Sequence, residues 1–217
     1  MTETDDDDHF RFRRCLDFLD ALGVVVEPGS TWLDLGCNQG HFLRLLLTRH
    51  RVRAVGFDVW DAAEKTPGPD DIWDYRTANL DRELPWPDKV RFISALEVLE
   101  HMIDTDGFLG RAFDALEPGG WLVISTPNIN SLRNRIMVPL GGYPAGLEYR
   151  TVVHHVRLYN VPALRQHLRA IGFKRIEIRG VAFLPLSSPF GRGGLSLRLA
   201  ASFPSFCSNL MAVAQKP

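Results

Sequence analysis

Residues 32–46, WLDLGCNQGHFLRLL, run a short apolar strand pattern into a turn holding Gly36 and Gly40 and then directly into an apolar helical stripe. That joint limits the folds open to the chain, because a strand feeding at once into a helix is half of a crossover unit. The rest of the sequence repeats the alternation. Phe12, Cys15, Leu16, Phe18, Leu19 and Leu22 are spaced for a helix beginning near Phe10, behind an acidic tip read as a solvated tail. Strands are expected over 31–35, 52–57 (closed by Asp58), 90–96, 121–125, 174–179 and 209–214, and helices over 40–50, 104–116 and 161–171. Residues 61–74 read as loop and 118–120 as a turn. Strand and helix in alternation predict a mostly parallel sheet with helices on both faces, since parallel strands need crossovers that cover the sheet.

Composition narrows the partners. The 217 residues carry 25 Lys+Arg against 26 Asp+Glu, a formal net charge of −1. The arginines are scattered among acids, so there is no basic stripe for a phosphate backbone. The first nine residues hold Asp5 to Asp8 where a secretory signal needs basic and then apolar residues, and no apolar run approaches the ~20 residues that span a bilayer. Three cysteines, Cys15, Cys37 and Cys207, form no CxxC pair and suit a reducing compartment. A cytoplasmic protein without stable membrane insertion is expected. Its length fits an acidic tail and helix over 1–30 and one domain over 31–217. Proline-rich segments near 127–153 and 181–205 are too long for connectors and are expected to cover a substrate.

The turn after the first strand carries the chemistry. Glycines let a ligand approach backbone, and the exposed N–H groups of the following helix favour an anionic group. The same glycines would also serve a plain tight turn. A dinucleotide fingerprint GxGxxG would need glycine at 38 and 41, where the chain has Asn38 and His41. Asp34 puts a carboxylate under the loop, where it repels a pyrophosphate and suits a cation. Asn38 tolerates positive φ, so the turn survives it. Asp58 ends the second strand 22 positions after Gly36, near the ~20-residue offset at which an acid meets ribose hydroxyls in doubly wound folds. The ligand suggested is amphoteric and not polyanionic.

DLGCNQG, the strand-end Asp58, ALEVLEH at 95–101, LEPGGWLVISTPN at 116–128 and HHVRLYNVPALRQHLRAIGF at 154–173 together resemble class I S-adenosylmethionine-dependent methyltransferases, in the branch holding ubiquinone-pathway O-methyltransferases and many natural-product enzymes. The resemblance implies a three-layer, Rossmann-like, doubly wound α/β sheet of seven strands with the last antiparallel, and S-adenosylmethionine as cofactor. It further implies Gly36, Cys37, Asn38 and Gly40 along the methionine portion, Asp34 near its ammonium, Asp58 with Val59 at the ribose, Asn79 and Leu80 at the adenine, and Leu96 with Glu97 beneath the sulfonium.

Methyl transfer from a sulfonium asks the protein mainly to align and shield its reactants. An oxygen acceptor must also lose a proton, and His101, His154 and His155 are the candidate bases. His154 and His155 point opposite ways if extended, so at most one of the two is expected to face the pocket. EVLEH lacks the two histidines of a metalloprotease helix, and no metal is expected. Cys37 reads as a small filler of the turn. Trp73, Trp86, Tyr143, Tyr149 and Tyr159 are candidates for stacking on a flat acceptor, or core anchors. Leu184, Leu186, Phe190, Leu195, Leu197, Leu199 and Phe203 read as packing against the sheet, with an apolar lid or lipid contact as the competitor.

The expected activity is methylation of an oxygen, or less favourably a nitrogen, of a small metabolite by a monomer or homodimer. The competing readings are an inactive cofactor-binding or partner-binding domain and a methyltransferase acting on a macromolecule. Nucleic acid is disfavoured by charge and by ALEV standing where an NPPY-like strand end would be expected.

Overall fold

The computed structural model describes residues 3–60, 72–145, 154–183 and 192–217, with side chains from residue 9 onward. Seven strands form one sheet in the order β3-β2-β1-β4-β5-β7-β6. They are β1 (Thr31–Leu35), β2 (Arg53–Asp58), β3 (Trp73–Thr77), β4 (Val90–Leu96), β5 (Leu116–Pro127), β6 (Lys174–Gly180) and β7 (Asn209–Gln215). β1 to β5 pair in parallel, and β7 enters antiparallel between β5 and β6. The parallel strands read as continuous apolar runs because both faces are covered.

One face buries Cys15, Leu16, Phe18 and Leu19 of α1 (Glu3–Ala21) and Phe42, Leu43, Leu45 and Leu46 of α2 (His41–Arg49). The other buries Phe108, Leu109 and Ala112 of α3 (Thr105–Ala115) and Leu164 and Leu168 of α5 (Val161–Ile171). Local chemistry fixes the helix ends. The Asp104 carboxylate accepts from Gly107 N–H at 2.9 Å to start α3, and the Asn160 side chain does the same for Ala163 in α5, which Gly172 closes at φ 119°. Two further helices, α4 (Leu132–Met137) and α6 (Gly194–Ser202), lie in the segments expected to be irregular.

The structure corrects four expectations. Helix α1 begins at Glu3, so the acidic run belongs to its first turns, where negative charge suits the helix dipole, and is not a frayed tail. Strand β3 occupies part of a stretch read as loop and continues beyond it; it is an edge strand whose first residue alone is buried, so WDYRT shows no apolar alternation. Strand β5 starts at Leu116 and runs through the expected turn, with the register slipping between Val90 and Phe92. Segment 181–205 contains α6, hidden in the sequence by its Gly and Ser.

Gly110 gives a control on how glycine works here. It lies inside α3 with open space where a Cβ would stand, so Gly110→Ala is expected to raise stability by about 0.5–1 kcal/mol. Thermal unfolding checks this; a lowered melting temperature would show an unseen requirement for glycine.

Candidate active site

Strand order reverses between β1 and β4, and a ligand crevice is expected at their carboxyl ends. The turn after β1 is pinned there by backbone. Gly36 N–H and Cys37 N–H both donate to the Phe57 carbonyl, at 2.7 and 3.0 Å. Gly36, Asn38 and Gly40 all take positive φ, at 77°, 47° and 72°. A Cβ on Gly36 would strike Val98, and one on Gly40 the indole of Trp73, so both glycines also answer close packing. At the end of β2 the Asp58 carboxylate spans the turn. One oxygen accepts from Asn38 N–H and the other from Val59 N–H, each at 2.7 Å.

Asp34 is buried at the end of a polar chain. Trp32 Nε1–H donates to Ser94 Oγ at 2.9 Å, and the Ser94 hydroxyl donates to Asp34 Oδ1 at 2.6 Å. Loss of hydration pushes the Asp34 carboxyl up to about 7 despite the Ser94 bond, and the Asp58 charge adds to the rise. Beyond β4, Glu97 sits at φ 56°, a conformation a non-glycine residue adopts only when its surroundings hold it. Ser125 Oγ–H donates to its Oε1 at 2.7 Å, Asn209 Nδ2–H donates to its Oε2 at 2.8 Å, and Arg11 approaches Oε2 at 3.6 Å. Glu100 is buried, accepts from the Thr126 hydroxyl at 3.1 Å, and is pushed upward in pKa by burial and then by the Glu97 charge.

Two cavities meet over this turn. One, of about 540 Å³, is lined by Asp58, Val59, Trp60, Asn79, Leu80 and His154 among others. The other, of about 520 Å³, runs from Asp34, Cys37 and Leu96 past Glu100 and His155 to Arg133 and Asn209. Gly36, Asn38, Glu97 and His101 line both.

A family model described as a methyltransferase domain matches residues 8–178. The chain belongs to this methyltransferase family. The methyltransferase is 29% identical over 181 residues to the ubiquinone biosynthesis O-methyltransferase of Rhodopseudomonas palustris (strain HaA2), covering 77% of this chain and 67% of that protein. It is 30% identical over 159 residues to a probable S-adenosylmethionine-dependent methyltransferase of Mycolicibacterium smegmatis, covering 70% and 55%. Among solved structures, Haemonchus contortus phosphoethanolamine N-methyltransferase 2 in complex with S-adenosyl-L-methionine superposes with a TM-score of 0.68 at 17% identity, over 94% of this chain. The chain spans about half of that enzyme's length, 52%. A possible histamine N-methyltransferase of Thermotoga maritima superposes with a TM-score of 0.67 at 16% identity, over 96% and 91% of the two chains. At these identities the likeness shows the fold. The Haemonchus enzyme holds S-adenosyl-L-methionine in its complex, and the Mycolicibacterium relative carries S-adenosylmethionine in its name.

Most residues singled out from the sequence of the methyltransferase converge on the two cavities. Gly40 lines neither and instead packs on Trp73. Both histidines of the pair line a cavity, His155 the second and His154 the first, where at most one was expected, because the two cavities lie on either side of this segment; His101 lines both, with its Nδ1 donating to the His154 carbonyl at 2.9 Å in the tautomer that makes this a hydrogen bond. None of the aromatic residues considered for stacking lines either cavity among the described residues. Trp73 is buried, Trp86 packs edge-on to Phe57, Tyr159 is buried beside His167, and Tyr143 is exposed. Tyr149, Leu184, Leu186 and Phe190 lie outside the described residues. Leu195 and Phe203 are exposed while Ala200 is buried, so α6 packs by one side. Arg11, Phe12, Glu100, Ser131, Arg133 and Asn209 were not singled out as site residues, and they line the second cavity. Only Glu100 had a signal, inside EVLEH. No helix among the described residues is long and apolar enough to cross a membrane.

Proposed function

We propose that this enzyme moves the methyl group of S-adenosylmethionine to an oxygen of a small molecule, with donor and acceptor meeting at Gly36, Asn38, Glu97 and His101. The observation that carries this reading is the pair of cavities sharing those four residues. The residues fit the cofactor's charge pattern, since a buried carboxylate at Asp34 suits an ammonium and the strand-end Asp58 suits a diol. In this reading Asp58 with Val59 takes the ribose, and Asn79 and Leu80 the adenine. The Gly36 to Gly40 turn takes the methionine portion, and Leu96 with Glu97 lies beneath the sulfonium. The second cavity takes the acceptor.

The cofactor, when bound, supplies a methyl on a sulfonium that leaves without assistance. The chain's own work is to align, to exclude water and to manage a proton. His101 and His155, beside buried Glu100, give the acceptor cavity groups able to take a proton from a hydroxyl acceptor. The O-methyltransferase name of the Rhodopseudomonas relative supports oxygen as acceptor.

Calorimetry with the cofactor and its demethylated product, followed by transfer of labelled methyl to panels of phenols, alcohols, amines, nucleic acid and protein, tests the reading. Transfer to phenols or alcohols is expected. Transfer confined to amines or macromolecules would overturn the acceptor class, and tight cofactor binding with no transfer would indicate a binding domain.

Asp34 adds a pH-dependent prediction. In the free protein it is mostly protonated below about pH 7, whereas a neighbouring ammonium favours its ionised form. Binding at pH 6 is therefore expected to release up to about one proton, and affinity to fall about tenfold per unit as pH drops below 7. Calorimetry in buffers of different ionisation enthalpy reads the proton directly. Asp34→Asn should abolish the release; an unchanged release would place the proton elsewhere.

A further inference from the structure

We propose that Arg11 sets how strongly the site prefers the demethylated product over S-adenosylmethionine, by holding a positive charge against Glu97 where the two cavities meet. This role rests on the reading above that puts the sulfonium over Leu96 and Glu97. Arg11 lies on α1 one turn before Cys15, which with Leu16, Phe18 and Leu19 anchors that helix in the core. Its side chain lines the second cavity, and Nη1 stands 3.6 Å from Glu97 Oε2. The two side chains are only 24% and 22% exposed, so water screens their charges in part.

Glu97 is the fixed member of this pair. Ser125 Oγ–H donates to its Oε1 at 2.7 Å and Asn209 Nδ2–H to its Oε2 at 2.8 Å. Its backbone N–H donates to the Ser125 carbonyl at 3.0 Å and to Ser125 Oγ at 3.1 Å. The carboxylate is therefore tied to β5 and β7 at both oxygens, and any adjustment to a ligand falls to the long, rotamer-rich stem of Arg11. The two opposed charges are already felt next door. Burial first and then the Glu97 charge raise the pKa of Glu100, while Arg11 pulls it down.

S-adenosylmethionine and its demethylated product share the same ammonium, ribose and adenine and differ at sulfur, by one methyl and one positive charge. Asp34 and Asp58 thus cancel from the ratio of the two affinities, and charges beside the sulfur decide it. Glu97 favours the sulfonium, and Arg11 favours the neutral thioether. Two unit charges several Å apart in a partly hydrated cleft change an equilibrium constant by roughly tenfold. An uncompensated acid beneath the sulfonium would also slow transfer, because it stabilises the charged donor more than a transition state in which that charge is being lost. Arg11 offsets this excess. The pair trades donor affinity for rate, and the cost is a product that stays bound.

Calorimetry on the full-length protein with S-adenosylmethionine and with its demethylated product gives the ratio of the two dissociation constants, which general loosening of the fold does not move. Arg11→Gln is expected to shift this ratio by about fivefold or more toward S-adenosylmethionine. Arg11→Met, equally helix-forming and uncharged, should do the same. Arg11→Lys keeps the charge and should stay within about twofold of the parent. So should Arg13→Gln, which removes a charge from an exposed position of the same helix. Glu97→Gln is expected to shift the ratio the opposite way, toward the product. A parent-like ratio in folded Arg11→Gln and Arg11→Met that bind both ligands would overturn the role of Arg11 and leave the cofactor site standing. An equal shift in Arg13→Gln would also overturn it, by showing a general effect of net charge. Parent protein that binds neither ligand at millimolar concentration would overturn the cofactor reading itself, and the role of Arg11 with it.

Discussion

Asp58→Ala is expected to weaken binding of S-adenosylmethionine and its demethylated product by about 100-fold or more. The carboxylate has two duties in the structure. Its oxygens hold Asn38 N–H and Val59 N–H at 2.7 Å each, and in the proposed complex the same group meets the ribose hydroxyls. Hydrogen bonds to a charged group contribute about 1.5–3 kcal/mol each, so losing two costs on the order of 3–6 kcal/mol of binding, a hundredfold or more. Loosening of the turn at Asn38 adds to the loss. Asp58→Asn keeps one acceptor oxygen and should fall between alanine and the parent. Calorimetry measures both, with circular dichroism confirming that the variants fold; parent-like affinity in folded Asp58→Ala would remove Asp58 from the nucleoside site.

Gly40→Ala is expected to be among the more damaging single-methyl changes at the described glycines. Gly40 has φ 72°, where an L side chain costs about 1–2 kcal/mol. The new Cβ would also strike the Trp73 ring, which is buried and crossed by Arg44 at 5.9 Å from its centroid. Overpacking of a filled interior adds about 1–3 kcal/mol. Together these predict a loss of roughly 3 kcal/mol, or about 6 to 12 °C in melting temperature for a chain of this size. Gly110→Ala, the same added methyl in open space at helical φ, should move the other way. A Gly40→Ala protein as stable as its parent would show that Trp73 yields to the methyl and that the turn relaxes.

The central half of the fold was legible because its signals are local. The glycines and Asn38 between β1 and α2 mark a turn by backbone conformation, and buried parallel strands appear as short apolar runs. Asp34 and Asp58 were legible as charges set at strand ends. β3 was missed because an edge strand has no second covered face to impose a pattern, and α6 because Gly and Ser dominate its ends. The acceptor cavity was the least legible part. Arg11 comes from α1, His155 from a segment beyond α3, and Asn209 from β7, so their meeting depends on sheet order and on no spacing in the chain. His154 and His155 show the limit well. Alternation separates the two, but the sequence does not say which cavity each enters.

The antiparallel entry of β7 has a consequence for biosynthesis. Strand β6 pairs with β7 alone among the described residues, and β7 fills the place between it and β5. As the chain emerges from a ribosome, β1 to β5 can assemble in turn, but β6 has no docking edge until Asn209–Gln215 has followed it. The same strand brings Asn209, which holds Glu97 in its left-handed conformation. A nascent chain thus completes the Asp34 and Asp58 side of the crevice first. The wall on which Glu97 rests is the last to be made, which keeps a half-built sheet from presenting a finished reaction chamber.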